Sequence, residues 1–148
     1  NLKISQLDKF HSTKKEFSFS SRKGELIWPI NGKLLKKYGA EKKMTGLKWK
    51  GVLIEAKEGS QVSAISEGKI VFADWFRNFG LLVIVEHQNN FLSLYGHNQK
   101  LLKTTGDFVK TGEKIATVGD SGGQKNPALY FEIREGKKTL DPSQWCKK

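Results

Sequence analysis

The sequence predicts an all-β domain, and two observations carry that prediction. Short apolar runs, rich in β-branched and aromatic residues, alternate with turns built from Gly or Asn, and this spacing is typical of a β-sandwich or barrel. After residue 24, no segment keeps the apolar period of a helix over a useful length. The runs predicted as strands are 34–38, 51–56, 61–65, 69–76, 81–86, 91–95, 114–118 and 129–134.

The run 126–134 (NPALYFEIR) is the strand around which we expect the domain to be organised. It follows a Gly-rich turn at residues 119–123 (GDSGG). Because successive side chains of a strand point to opposite faces, Leu129, Phe131 and Ile133 are predicted to enter the core. The opposite face carries a small, an aromatic, an acidic and a basic residue: Ala128, Tyr130, Glu132 and Arg134.

The composition describes one folded, strongly basic domain. A chain of 148 residues is long enough for a single sizeable core, and 26 basic against 15 acidic residues give a net charge of +11. Such a charge favours an anionic partner, whether nucleic acid, acidic lipid, cell-wall polymer or an acidic protein face, and does not choose among them. A solvated surface, typical of Lys-rich proteins, is the alternative and stays open. No Arg-rich helix face or aromatic stacking platform supports nucleic acid. The single cysteine, Cys146, excludes an intrachain disulfide.

The first 24 residues differ in composition from the rest. The stretch is either the end of an amphipathic or coiled-coil helix or an unstructured lead-in, and both alternatives stay open. Residues 11–23 are rich in Ser and Lys, as linkers are. We therefore predict a linker over residues 1–24 and a folded domain over residues 25–148. The apolar residues at approximately helical spacing are Leu2, Ile4, Leu7 and Phe10.

Several motifs, in chain order, resemble the LytM/lysostaphin-type zinc endopeptidases, which cut peptidoglycan cross-bridges. The run 126–134 resembles the H-L-H-F-E-I strand of that family, and residues 28–32 (WPING) resemble its W-P-x-x-G segment. The resemblance implies an antiparallel β-sandwich, a duplicated hybrid motif related to the biotinyl/lipoyl hammerhead. The other matching segments are 49–53 (H-x-G-I-D in the family), 67–71 (D-G-x-V), 79–87 (Y-G-x-x-V-x-I-x-H), 94–97 (x-Y-A-H) and 141–142 (D-P).

The resemblance also implies where a zinc ion would be bound. The family's ligands are the His and Asp of H-x-x-x-D and the second His of H-x-H, and the matching residues here are Trp49, Leu53 and Tyr130. Trp and Leu offer a metal no lone pair, and Tyr is not a usual zinc ligand. The first His of H-x-H is Ala128, and only His97 keeps a histidine at a catalytic position. We therefore predict no catalytic residue, no bound metal and no other cofactor.

Loss of the ligands predicts a groove lined by aromatic and aliphatic side chains in place of a metal site. Tyr, Trp and Arg are enriched at the hot spots of protein interfaces, and a helix laid with its apolar face in a groove is a recurring mode of recognition. The residues predicted to line this partner-binding groove are Trp49, Lys50, Leu53, Phe79, Leu82, Tyr95, His97, Tyr130 and Arg134.

Four segments, 47–51 (LKWKG), 93–96 (SLYG), 121–124 (SGGQ) and 129–134, are similar to the EnvC-like group of murein hydrolase activators, whose LytM domains are degenerate. This resemblance implies a non-catalytic activator of N-acetylmuramoyl-L-alanine amidases that binds their inhibitory helix and promotes cell-wall splitting during daughter-cell separation. It also implies a location in the Gram-negative periplasm, with the signal peptide outside this chain. A division-site membrane protein is a further implied partner, through a coiled coil outside this chain.

Two other functions stay open at this point. The former substrate cleft of a LytM domain could bind peptidoglycan passively, without cutting it. A residual metallopeptidase is the remaining alternative, and it requires a metal site that the motifs do not supply. A pull-down with an amidase, beside sedimentation with murein, discriminates between the first two functions.

The missing ligands generate a test by metal analysis. We expect the purified chain to bind no stoichiometric zinc and to release no dye from labelled murein by itself, because Trp49, Leu53 and Tyr130 stand at the ligand positions. One zinc per chain, lost in the His97→Ala variant, would contradict the prediction.

Overall fold

Ten strands, all paired antiparallel, form the framework of the computed structural model, which describes residues 18–148. One short helix, α1 (Pro142–Trp145), lies near the C-terminus, and the prediction of an all-β domain is confirmed. None of the helices within the described residues is long and apolar enough to cross a membrane. The strands are β1 (Lys33–Lys36), β2 (Val52–Glu55), β3 (Gln61–Ser63), β4 (Gly68–Trp75), β5 (Leu81–Glu86), β6 (Phe91–Leu101), β7 (Phe108–Val109), β8 (Lys114–Val118), β9 (Ala128–Glu135) and β10 (Lys138–Leu140).

The long strand β6 joins two parts of the sheet. Its first half pairs with β5 on one side and β9 on the other, within the order β1-β2-β9-β6-β5-β4-β7. Its second half, from Asn98 to Leu101, pairs with β8, which in turn pairs with β3. The sequence predicted a strand only over 91–95, because the polar residues from His97 to Lys100 interrupt the apolar alternation. Pairing with β8 keeps the residues from Asn98 to Leu101 in the sheet.

Strand β9 lies at the centre, between β2 and β6, and its alternation follows the prediction. Leu129, Phe131 and Ile133 are completely buried in the main core, together with side chains from β2, β3, β5 and β8. Ala128 and Tyr130 face the other side and form a second, smaller apolar cluster with Leu53. The two faces of one strand therefore support two different structures, the core and the candidate site.

Residues 18–24 pack on the domain, which differs from the linker predicted through residue 24. Phe19 is only 2% exposed and stacks on His87 and Phe91, each at a ring-centroid distance of 4.7 Å. Arg22 pairs with Glu67 across 3.1 Å. The Ser/Lys-rich composition hid this contact, because a single buried aromatic residue is enough to attach such a segment. Residues 1–17 lie outside the described residues, so the helix or lead-in predicted there stays a prediction.

The packing of Phe19 predicts a loss of stability when its ring is removed. Phe19→Ala in the full chain should lower the free energy of unfolding by ~3–5 kcal/mol, the usual cost of truncating a buried Phe. Urea denaturation measures this loss. The matched control is Phe108→Ala, because Phe108 is 72% exposed and should change stability by no more than ~0.5 kcal/mol. A loss for Phe19→Ala as small as that expected of the control would show that residues 18–24 do not belong to the folded domain.

Candidate functional site

A groove of about 830 Å³ opens on the outer face of β9. Its floor is β9, one wall is the hairpin between β1 and β2, and the facing wall is the 3₁₀ turn Arg77–Phe79. The lining residues are Tyr38, Gly39, Lys42, Leu47, Lys48, Trp49, Lys50, Phe76, Arg77, Asn78, Phe79, His97, Gly122, Gln124, Tyr130, Glu132, Arg134 and Thr139.

Three consecutive outward side chains of β9 form a hydrogen-bonded chain on the groove floor. Glu132 is only 1% exposed. One of its carboxylate oxygens accepts a hydrogen bond from the Tyr130 hydroxyl, and the other accepts from Arg134 Nε at 2.5 Å. Burial, and then the neighbouring Glu132 carboxylate, raise the pKa of Tyr130 well above its usual range, so the hydroxyl stays protonated and donates.

Gly51 makes room for this chain. A Cβ atom at residue 51 would lie 2.5 Å from the Phe131 carbonyl oxygen, 2.7 Å from Glu132 Cγ and 2.9 Å from the Tyr130 hydroxyl oxygen. These separations are too short for any side chain, so only glycine lets the backbone before β2 approach β9 this closely. Gly51 therefore determines how closely the backbone before β2 approaches the groove floor.

Aromatic rings flank Tyr130 on both sides. The ring centroid of Phe79 lies 5.3 Å from that of Tyr130, and the centroid of Trp49 lies 6.2 Å from it. Lys42 places its ammonium over the Trp49 ring, 4.8 Å from the centroid, a favourable cation–π arrangement. The groove therefore combines apolar walls with cations held against them.

His97 lies at the edge of the floor in an unusual backbone conformation, with φ of 64°. Its Nδ1 lies 2.7 Å from the Ser121 carbonyl oxygen, and because a carbonyl only accepts, Nδ1 carries the proton and donates. Burial lowers the pKa of His97, so the ring is neutral near pH 7. Nε2 is then an acceptor with no hydrogen-bond partner among the described residues.

These side chains do not fit a catalytic zinc ion. A zinc site needs about three protein ligands and an open position for water, whereas Trp49, Leu53 and Tyr130 supply no suitable donor set. Both oxygens of Glu132 are already engaged, and His97 offers a metal a single free nitrogen, Nε2. Within residues 18–148, no group of three or more His, Cys, Asp or Glu side chains is placed to hold a metal.

Most of the residues predicted for the groove are brought together, and three are not on its surface. Trp49, Lys50, Phe79, His97, Tyr130 and Arg134 line it. Leu53 lies beneath, opposite Tyr130 in the register of β2 and β9. Leu82 and Tyr95 are buried away from the lining.

Tyr95 is the clearest correction, because no part of it is exposed. It pairs with Phe131 in the register of β6 and β9, and both point into the main core. Its hydroxyl accepts from the Ile65 backbone N–H at 3.2 Å and lies 2.7 Å from Ser93 Oγ. Strand register decides this orientation, since the β6 residue opposite Tyr130 is Gly96.

Sequence reasoning missed the cations that surround the groove. Lys42, Lys48 and Arg77 line it beside the predicted Lys50 and Arg134, whereas Glu132 is the one carboxylate among the described lining residues and is already paired. The clustering of Lys42, Lys48 and Lys50 around Trp49 in the sequence was the available signal. No such signal in the sequence pointed to Arg77, because only the fold brings the turn that carries it to the facing wall. The groove therefore suits a ligand with apolar and acidic groups.

Comparisons with known proteins agree with this architecture. The sequence model of peptidase family M23 matches residues 47–142. The chain is 43% identical over 143 residues to murein hydrolase activator EnvC of Escherichia coli (strain K12), which covers 92% of this chain and 34% of that protein. It is 35% identical over 119 residues to murein hydrolase activator NlpD of the same organism, covering 80% of this chain and 30% of that protein. The chain thus spans about a third of the length of these curated relatives.

A solved structure supports the same assignment. The catalytic domain of the antimicrobial peptidase lysostaphin from Staphylococcus simulans superimposes with a TM-score of 0.71 at 29% identity, over 76% of this chain and 90% of that chain. The predicted LytM-type fold is confirmed by this likeness and by the antiparallel strand order. With a family model matched over residues 47–142 and relatives of 35–43% identity, the chain belongs to peptidase family M23.

Proposed function

We propose that this domain is a non-catalytic activator of peptidoglycan amidases of the N-acetylmuramoyl-L-alanine type, which split septal cell wall when daughter cells separate. The observation that carries the proposal is the groove floor: where the family holds a metal, Tyr130, Glu132 and Arg134 form a closed, hydrogen-bonded surface. The relatives named murein hydrolase activators support it. Their Gram-negative source supports a periplasmic location.

The chemistry of the groove supports the proposed absence of peptidase activity. Hydrolysis of a peptide bond by this family type needs a Lewis acid and a water activated by it. Tyr130 is a hydrogen-bond donor locked onto Glu132, and Glu132 is a carboxylate neutralised by Arg134. Neither group is free to take a proton from water. His97 alone offers a free basic nitrogen, and one acceptor does not replace a metal site.

The partner we propose is the regulatory helix that blocks the amidase's own active site. An α-helix with its side chains is about 10–12 Å wide, and an amphipathic one can lay its apolar stripe between Trp49 and Phe79. The cations of the groove rim, Lys48 and Lys50 among them, would then meet acidic residues on the flanks of the helix. Removal of the helix from the amidase leaves its active site open to murein.

Trp49 gives the sharpest test, because it forms one wall of the groove without belonging to the main core. Trp49→Ala should weaken binding to a purified cognate amidase by about thirtyfold, which corresponds to the ~2 kcal/mol of a buried aromatic anchor. Stimulation of dye release from labelled murein should fall in parallel. The measurements are amidase affinity by titration and amidase rate at fixed activator concentration.

The matched control is Trp75→Ala, since Trp75 is 56% exposed and does not line the groove. It should leave both readings unchanged. If Trp49→Ala instead keeps full stimulation and only loses sedimentation with murein, the groove binds peptidoglycan passively and the activator mechanism is wrong.

Arg134 has a structural role that must be separated from binding. Arg134→Ala leaves the buried Glu132 carboxylate without its cation, and the free energy of unfolding should fall by about 2 kcal/mol, below the ~3–5 kcal/mol of a fully buried pair because Arg134 is partly exposed. Chemical denaturation measures this loss. The double variant Glu132→Gln/Arg134→Ala removes the unpaired charge and should recover most of the stability. An unchanged Arg134→Ala single variant would show that the ion pair does not support the floor.

A further inference from the structure

The hairpin between β1 and β2 projects from the domain beyond the groove. Its base is held by backbone hydrogen bonds from Gly39 N–H to the Trp49 carbonyl and from Trp49 N–H to the Ala40 carbonyl, both 2.8 Å long. Further out, Lys42 N–H donates to the Leu47 carbonyl at 2.7 Å. The hairpin is therefore an ordered ladder that ends in a turn at residues 43–46.

Two apolar side chains stand at the end of this ladder without cover. Met44 is 95% exposed and Leu47 is 64% exposed. A Cβ atom at Gly46 would meet no atom within 4 Å, so the turn is surrounded by open space. Leu47 reaches the outer lining of the groove, but Met44 does not. Met44 is thus an apolar group on a convex tip, where it fills no pocket formed by residues 18–148.

Lysines lie along the whole hairpin, from β1 to the tip. Residues 33–50 contain seven lysines and one acidic residue, Glu41, and all eight of these side chains are exposed. Within residues 18–148 none of these seven lysines pairs with a carboxylate. A concentrated positive charge of this kind favours an anionic partner along the hairpin. The lysines are Lys33, Lys36, Lys37, Lys42, Lys43, Lys48 and Lys50.

We infer that the hairpin tip docks the domain onto a bilayer that carries anionic phospholipid headgroups. Lysine-rich surfaces are attracted to such headgroups, by about fivefold in partition for each lysine near the surface. An exposed apolar side chain among the lysines adds insertion at the boundary between headgroups and acyl chains. An acidic protein would satisfy the lysines, but it would have to supply a pocket for Met44. A bilayer needs no such pocket, and this difference favours lipid.

The arrangement places the groove beside the membrane surface. The tip and one wall of the groove belong to the same hairpin, so docking would hold the opening of the groove at a defined height above the headgroups. The inference does not depend on the amidase proposed above. It concerns residues Lys36, Lys37, Lys43 and Met44, which do not line the groove.

The test is sedimentation of the full chain with vesicles of phosphatidylglycerol and phosphatidylcholine in equal parts, beside vesicles of phosphatidylcholine alone. The parent chain should bind the anionic vesicles and release them as salt is raised, because salt screens exposed charges. Lys36→Gln/Lys37→Gln/Lys43→Gln should lower the partition coefficient at least tenfold, from about fivefold for each lysine. Met44→Ser should lower it several-fold with no change in charge.

The charge-matched control is Lys100→Gln/Lys110→Gln/Lys114→Gln, which removes three exposed lysines from other elements. It should retain most of the binding. Equal loss in the two triple variants would show a general effect of net charge and would overturn the inference, as would equal binding to anionic and neutral vesicles.

A fluorophore at the tip separates insertion from mere attraction. Cys146 is buried, and burial raises the pKa of its thiol to about 12, so Met44→Cys can be labelled selectively. The label at residue 44 should shift to an apolar signal on anionic vesicles, whereas the same label in Lys114→Cys should not. No shift at residue 44 would rule out insertion. If the hairpin triple variant keeps vesicle binding but loses amidase stimulation in vesicle-free solution, the tip docks an acidic protein instead.

Discussion

The buried carboxylate of Glu132 is the constraint on which the groove depends. A charge that is 1% exposed is tolerated in a fold only when partners occupy its oxygens. Strand β9 supplies both partners itself, since Tyr130 and Arg134 lie on the same face, two residues to either side. Gly51 then lets the neighbouring backbone close over this chain. The rest of the groove is built against that surface.

This floor changes what the family fold can do. A metal-dependent peptidase needs ligands with free lone pairs and space for water, and here the corresponding space holds a tyrosine ring packed between Trp49 and Phe79. The polar groups of this surface already hydrogen-bond to one another, so a ligand needs to match only the shape and the charge of the groove. Such a surface is well suited to bind a helix and is unsuited to polarise a peptide bond. The proposed activator function therefore rests on the same side chains that exclude zinc.

The hairpin between β1 and β2 links the two surfaces on which proposals are made. Its inner face provides Trp49 and the lysines of the groove wall, and its outer end presents Met44 among other lysines. A single ordered ladder of backbone hydrogen bonds supports both. Docking of the tip on a bilayer would therefore also orient the groove wall against which a helix would lie.

The sequence by itself determined the fold class and the central strand, and it predicted the loss of the metal ligands. These properties are local: alternation along residues 129–134 separates core from groove, and wherever the chain places them Trp and Leu offer zinc no lone pair and Tyr is not a usual ligand. The start of the folded domain, predicted near residue 24, could not be located from local sequence. Phe19 is buried by residues that are distant in the chain, His87, Phe91 and Trp145.

Only the tertiary structure decided which side chains reach the groove. Tyr95 and Tyr130 both belong to motifs that predicted a cleft position, yet the register of β6 against β9 turns Tyr95 into the core and places Gly96 opposite Tyr130. Arg77 reaches the groove because β4 and β5 pair and carry their connecting turn to the facing wall. A shift of one residue in register reverses every side chain of a strand, and register is set by pairing between distant segments, which no stretch of sequence contains alone.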